Sequence, residues 1–404
     1  MNAVWLFALA LSVCAEPAPK APAPCGQGVL TGIDVLQQEG FGPLVGRRMG
    51  LITNHTGVDR QGVPSARVLQ KAPGAKLVAL LSPEHGLEGN LEVPAIGDTC
   101  DKATGLPVYS LYGATRRPTP KMLAGIDTLV FDIQDIGARF YTYISTMGLA
   151  MEVAAERGLR FVVLDRPNPI GGAEVEGPML EPGRESFVGF HRLPIRHGMT
   201  VGELARLFRA ERKWKLDLHV VPMRNWRRSD TWEATGLKWI NPSPNMRSPT
   251  EALLYPGIGL LETTNLSVGR GTDTPFELFG APWLDGHRLA AQLNRAALPG
   301  VCFTPVTFVP QASTYRSKQC QGVRITIIDR RSIRPVRIGL EIARQLQLLY
   351  PGVWKIDAYD RLLANRRVLE ALRAGQNVAT IEALYQPELQ KFIDRRRAFL
   401  LYPD

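Results

Sequence analysis

A chain of 404 residues, 45% of them hydrophobic and 21% charged, has the composition of a globular protein, which excludes wholesale disorder. Its length exceeds what one core usually organises, and at about 150 residues per domain two domains are expected. The formal net charge of +10 is spread along the chain rather than gathered into one stripe. Nucleic acid is therefore not an expected partner, whereas an anionic polymer such as cell-wall material is compatible with a basic surface.

Residues 4–13 (VWLFALALSV) form an apolar run too short to cross a bilayer but suited to the core of a secretory signal, with cleavage expected after Ala15. No transmembrane helix is expected. The residues before Cys14 resemble a lipoprotein box, so the exported chain would be periplasmic or extracellular, with lipid anchoring through Cys14 as the minority reading. Residues 16–25 are proline-rich and read as an extended linker. A first domain is expected over 26–240 and a smaller one over 241–404. In an oxidising compartment Cys25, Cys100, Cys302 and Cys320 admit disulfides, and the favoured pairing is Cys302 with Cys320, leaving Cys25 with Cys100.

Four apolar runs share one grammar, each ending in a polar cluster. Residues 49–52 end in Thr53-Asn54-His55, and 77–81 end in Ser82-Pro83-Glu84-His85-Gly86. Residues 129–131 end in Asp132-Ile133-Gln134-Asp135, and 161–164 end in Asp165-Arg166-Pro167-Asn168. Continuous Val, Leu and Ile runs suit parallel strands covered on both faces. The helical spacing of 145–157, stopped by Gly158, completes a βαβ pattern. A second helix is predicted over 200–212, with Thr200 as cap and Glu203 at the capping-box position, then a strand over 216–221. Prolines and glycines in 241–270 predict a long crossover loop. Strands over 303–309 and 323–328 and helices over 338–349 and 368–373 make the second domain α+β.

In an open parallel sheet ligands bind outside the carboxyl ends of the strands, so the four polar clusters converge on one edge. No G-x-G-x-x-G follows a strand and no P-loop occurs, so no nucleotide cofactor is expected. The histidines are dispersed, no H-E-x-x-H exists, and no metal is expected. A G-x-S-x-G elbow is also absent, which argues against an α/β-hydrolase.

The foremost chemical candidate is Glu84, which Pro83 and Gly86 should set on a sharp turn facing the cleft. A carboxyl partly withdrawn from water beside other carboxylates holds its proton more tightly, as a general acid must. His85 could orient it. The segment Asp132 to Tyr143 packs Asp135, Arg139, Tyr141 and Tyr143 just past a strand end, where acids serve chemistry or helix capping and tyrosines line a sugar site or a core. Asp165, Arg166 and Asn168, and Asn241 and Asn245, lie in proline-stiffened loops suited to substrate recognition or to turn scaffolding. Glu262 and Arg270 add a third polar loop, in which Arg270 could bind a carboxylate or pair with Glu262.

The segments TNHTG, SPEHG, LPVYSLYG, FDIQDIGARFYTY, VLDRPNPIGG, HGMTVGELA, NPSPNM and ETTNLSVGRGTDTPFE together resemble the NamZ-type exo-β-N-acetylmuramidases, from about residue 30 to 402. The resemblance implies a Rossmann-like amino-terminal domain beside a smaller carboxy-terminal one. The activity it implies is release of terminal N-acetylmuramic acid from non-reducing ends of peptidoglycan fragments. It also implies Glu84 as the catalytic acid, with Asn54, His85, Asp135, Arg139, Tyr141 and Tyr143 as cleft residues. After Glu88 the chain reads GNLEVPA, where members of the family carry an Asp/Ala/Gly-rich stretch.

Glycoside hydrolysis ordinarily uses two carboxyl groups. Asp135 is the first expected partner of Glu84 and Glu262 the second, with participation of the substrate's N-acetyl group as a third route. Muramic acid carries a lactyl carboxylate, for which Arg139 and Arg270 are the expected cations. The competing readings are a hydrolase of the same fold acting on another N-acetyl sugar, or on an amide or ester of the cell wall, and a non-catalytic muropeptide-binding lipoprotein.

Overall fold

The computed structural model describes residues 28–404; the expected signal, the linker, Cys14 and Cys25 lie outside them. The strands are β1 (Arg48–Thr53), β2 (Lys76–Ser82), β3 (Thr99–Cys100), β4 (Pro107–Ser110), β5 (Thr128–Asp132) and β6 (Arg160–Leu164), then β7 (Glu176–Met179), β8 (Pro194–Arg196), β9 (Asp217–Val221), β10 (Leu278–Ala281), β11 (Val301–Phe308) and β12 (Cys320–Ile327). Seven form one sheet in the order β3-β4-β2-β1-β5-β6-β9. All its pairings are parallel except that of the two-residue edge strand β3 with β4. This is a Rossmann-like α/β sheet, and the four strands predicted in its first half are present as β1, β2, β5 and β6.

Alternation along these strands explains their unbroken apolar sequences. Ile52, Leu81, Leu129, Phe131, Phe161 and Val163 enter one hydrophobic cluster, while Met49, Leu51, Leu80, Val130, Val162 and Leu164 enter another. Period-2 side chains thus point into two cores, and neither face tolerates a polar residue. The larger cluster continues through Tyr255, Phe279, Val323 and Leu340, so the amino- and carboxy-terminal parts share one core.

The helices Tyr143–Arg157 and Val201–Glu211 match their sequence signals. Gly158 ends the first in a left-handed conformation (φ 67°), and Thr200 and Glu203 form the capping box of the second. The carboxy-terminal part holds a three-stranded antiparallel sheet, β10-β12-β11, with helices Pro335–Leu349, Ile356–Leu363, Arg366–Arg373 and Val378–Arg396. Among the described residues no helix is long and apolar enough to cross a membrane.

Two expectations are corrected. Residues 241–270 are not all loop, because Ser248 and Glu251 form a capping box, Pro249 occupies the first turn, and a helix runs over Pro249–Ile258 with Pro256 inside it. Proline at the first turn is preorganised for a helix, and the interior one removes a single bond. The Cys302–Cys320 disulfide is excluded by register, since Cys302 faces Thr326 and Cys320 faces Phe308 at the other end of the ladder. At ~3.4 Å per residue they stand about 20 Å apart, whereas bridged Cα atoms lie within about 7 Å.

The strand ends are tied by buried charge. The Arg166 guanidinium makes a bidentate pair with Asp132 (2.5 and 3.0 Å) and donates to the Val58 carbonyl (2.7 Å), and Ser65 also donates to Asp132. Both side chains of the pair are almost wholly buried. Replacing one partner of such a pair leaves the other charge unpaired at low dielectric. Arg166→Leu is therefore expected to destabilise the fold by about 3–5 kcal/mol, read from chemical denaturation; an unchanged midpoint would remove this pair as a structural tie.

Candidate active site

The parallel strands reverse their order between β1 and β5, so the topological switch point lies at the carboxyl edge where these two end. A cleft of about 950 Å³ opens there, lined by Glu84, Tyr112, Tyr141, Tyr143, Glu262 and Arg270 among others. Glu84 reaches it through the predicted turn. Directly after β2, the Gly86 N–H donates to the Pro83 carbonyl (3.1 Å), and His85 and Gly86 both take left-handed conformations (φ 71° and 77°). His85 also lines the cleft, with Nδ1 paired to the Leu91 carbonyl (2.8 Å).

One hydroxyl group holds the Glu84 carboxyl group: Thr142 Oγ1 donates to Oε2 (2.5 Å). The Tyr112 phenol shares the cleft, and burial first, then the nearby Glu84 carboxyl group, push it up to about 12, so it stays protonated at neutral pH. Neither residue was singled out from sequence, although both lie inside quoted motifs. Their motifs marked the segment, but only the fold shows which side chain turns toward Glu84.

The cleft floor is aromatic. Tyr141 and Tyr143 meet edge-on with ring centroids 5.0 Å apart. Tyr255 stands edge-on to Tyr141 (5.8 Å) and to Phe276 (4.8 Å), and Phe140 packs on Tyr255 (5.1 Å). Tyr143 donates to the Pro242 carbonyl, which fixes the start of the 242–245 loop against the floor. The aromatic residues come from both parts of the chain.

Opposite charges converge on one wall. Arg270 pairs with Glu262 and with Glu92 (2.7 Å to the latter), and the Asn245 amide also donates to Glu92. Glu92 belongs to the GNLEVPA stretch, which thus reaches the cleft. These groups suit a sugar-sized polar ligand: apolar faces below, carboxyl groups and amides at the sides.

Other expected site residues lie outside the lining of this cleft. Arg139 does not line the cleft; it is fully buried and donates to the carbonyls of Pro178 and Leu193 (3.1 Å each) and of Leu362 and Leu363 (2.7 and 2.8 Å). Asp165 is equally buried, accepting from Thr200, Tyr402 and the Gly202 N–H. Burial pushes its carboxyl up to about 7. Arg166 belongs to the Asp132 pair. The Asn168 amide donates to the Met199 carbonyl (3.0 Å) and lies so close to Gly137 that a Cβ there would stand 2.4 Å from it. Asn54 is buried, its amide oxygen accepting from Thr56, and Asn241 offers its carbonyl to His55 (2.7 Å).

Asp135 also stays behind the cleft wall. It is enclosed, with Oδ2 accepting from the Gly137 N–H (2.8 Å) and lying 3.9 Å from His197 Nε2. Burial pushes Asp135 up to about 7 and His197 down to about 3. Glu262, the second expected carboxylate, is the one the fold brings into the cleft with Glu84.

A Rossmann-like sheet with a carboxyl-bearing, aromatic-floored cleft at its switch point defines a class of proteins acting on carbohydrate-sized ligands. Residues 49–250 match the family model for the amino-terminal part of the exo-β-N-acetylmuramidase NamZ, and residues 253–402 match the model for its carboxy-terminal part. The chain therefore belongs to the NamZ family. It is 42% identical to the peptidoglycan β-N-acetylmuramidase NamZ of Bacillus subtilis, over all of this chain and 98% of that protein. Crystal structures of two DUF1343 family proteins from Bacteroides fragilis superpose with TM-scores of 0.86 and 0.77, at 40% and 29% identity; each match covers 93% of this chain and 99% of the other.

Asp135 generates a pH prediction. Its folded-state pKa of about 7 lies above the ordinary 3.8, so between these values the folded protein binds the proton that the unfolded chain releases, and stability falls as pH rises through that window. Asp135→Asn lacks this titration. Its stability relative to wild type should climb by up to about 4 kcal/mol between pH 4 and pH 7 and level off above, as measured by denaturation at each pH; a constant difference would place Asp135 in a more solvated setting.

Proposed function

We propose that this protein is an exo-acting β-N-acetylmuramidase, a glycoside hydrolase that releases terminal N-acetylmuramic acid from non-reducing ends of peptidoglycan fragments. Family membership supports the reaction, and the observation that carries the assignment of groups is the placement of Glu84. It stands on a rigid turn at a strand end, within a polar cleft, with Thr142 holding its carboxyl group. Glu84 acts as the general acid, delivering a proton to the glycosidic oxygen as the bond to the anomeric carbon breaks. Water adds at that carbon and its proton passes to a basic group, giving the free sugar and a shortened glycan.

Glu262 is the carboxylate we place as the second group, beside the oxocarbenium-like charge that develops at the sugar ring. Arg270, itself anchored by Glu92, holds it in position. The aromatic floor gives apolar faces to the sugar ring, and closing water away from it strengthens each polar contact. Peptidoglycan lies outside the cytoplasmic membrane, and the apolar run at residues 4–13 supports export of the chain.

The test is release of chromophore from a β-linked N-acetylmuramic acid glycoside beside its N-acetylglucosamine analogue. The muramyl glycoside is expected to turn over selectively, and Glu84→Gln to lower kcat by about 10²- to 10⁴-fold with the fold intact by circular dichroism. Undiminished turnover in the variant would remove Glu84 from the mechanism. Failure of folded wild-type protein on both glycosides would overturn the muramidase reading itself.

A further inference from the structure

Four guanidinium groups line the cleft: Arg116, Arg184, Arg270 and Arg361. Two are already matched by protein carboxylates. Arg184 makes a bidentate pair with Asp360 (2.9 and 2.8 Å), and Arg270 pairs with Glu262 and Glu92. Arg116 and Arg361 make no ion pair among the described residues, and both are exposed.

These two cations share one place. Arg116 is stacked over the Phe187 ring (4.1 Å to its centroid) and beside that of Tyr112 (5.6 Å), which fixes its plane without using its N–H donors. Arg361 belongs to the helix Ile356–Leu363, whose last carbonyls are held by the buried Arg139. Phe187, on which Arg116 packs, and Arg184, which holds Asp360 beside Arg361, belong to one stretch of the cleft wall. A pair of cations without carboxylate partners among the described residues therefore lines the same cleft as the group assigned as general acid.

We propose that Arg116 and Arg361 form the anionic subsite of the cleft and receive the lactyl carboxylate of the sugar bound there, setting selectivity for muramic acid over glucosamine. The inference rests on the muramidase reading for the identity of the anion. A guanidinium with free donors binds a carboxylate in a forked, charge-assisted geometry. Arg270 would first have to surrender an ion pair, and Arg139 is fully buried away from the cleft, with both terminal nitrogens on backbone carbonyls. Arg116 comes from the loop after β4 and Arg361 from the carboxy-terminal part, so the subsite completes only when the two parts are packed together.

The decisive measurement is calorimetric binding of free N-acetylmuramic acid and free N-acetylglucosamine to the full chain, which needs no turnover. Wild type is expected to prefer the acid. Arg361→Gln, an exposed position, should lower affinity for it by about ten- to a hundredfold and leave N-acetylglucosamine unchanged. Arg116→Gln should act in the same direction, with circular dichroism checking the overall fold and unchanged N-acetylglucosamine affinity checking that the cleft wall keeps its place. Loss of affinity for both sugars alike, or a preference that survives in the double variant, would overturn the assignment, as would a wild type that does not discriminate. A preference abolished by the variants in a protein that cleaves neither glycoside would uphold the subsite while the hydrolase reading fails.

Discussion

The cleft depends on one buried arginine. Among the described residues Arg139 has no carboxylate partner, and its guanidinium spends four donor contacts on carbonyls from two distant stretches, Pro178 and Leu193 on one side and Leu362 and Leu363 on the other. Only a planar group with five donors can serve both at once. Leu362 and Leu363 close the helix Ile356–Leu363, so the cation also meets the negative end of the helix dipole. Burial still weighs against the charge, and Arg139 is pushed down to about 9. The contact joins the β7–β8 hairpin to the carboxy-terminal helices, and the cleft wall formed by residues 183–188 and by Arg361 hangs from these two elements.

A second set of buried charges separates fold from chemistry along the sheet edge. After β5 and β6, Asp132 and Asp165 turn inward and are sealed by Arg166, Ser65, Thr200 and Tyr402. After β2, by contrast, Pro83 and the left-handed His85 turn the chain outward and deliver Glu84 to the cleft. Acidic residues at three strand ends of one sheet edge thus have different fates. Partner supply decides which: a carboxylate at a strand end stays inside only where enough donors are within reach to repay its lost hydration.

The same distinction explains how far the sequence could be read. Strands, the capped helix after Thr200 and the turn at Glu84 were legible because apolar runs, capping boxes and proline-glycine punctuation act over a few residues. Pro256 and its neighbouring glycines hid the helix Pro249–Ile258, although Ser248 and Glu251 announced its start. The density of polar groups around Arg139 signalled importance but not its kind, since the carbonyls that hold it lie about 40 to about 220 residues along the chain. Arg361 carries no local signal at all; it sits on an ordinary amphipathic helix, and only the packing around Arg139 brings it to the cleft. The cysteines of the β11–β12 hairpin show the same limit, because flanking a connection says nothing about register, and register sets them at opposite ends of the ladder.

The site is assembled across the shared core and not within either part. Glu84, Thr142 and Tyr141 belong to the stretch around the parallel sheet, while Tyr255, Glu262, Arg270 and Phe276 come from the segment that follows it, and the edge-to-face contacts of Tyr255 with Tyr141 and Phe276 join them. Aromatic rings interlocked in this way leave little freedom for one part to slide over the other, because small shifts forfeit contacts of packed surfaces steeply. Orientation of the two carboxyl groups is thereby set by core packing, before any ligand binds. A sugar entering this cleft meets groups already fixed in place, which is the condition under which electrostatic stabilisation of a developing charge costs no reorganisation at the moment of reaction.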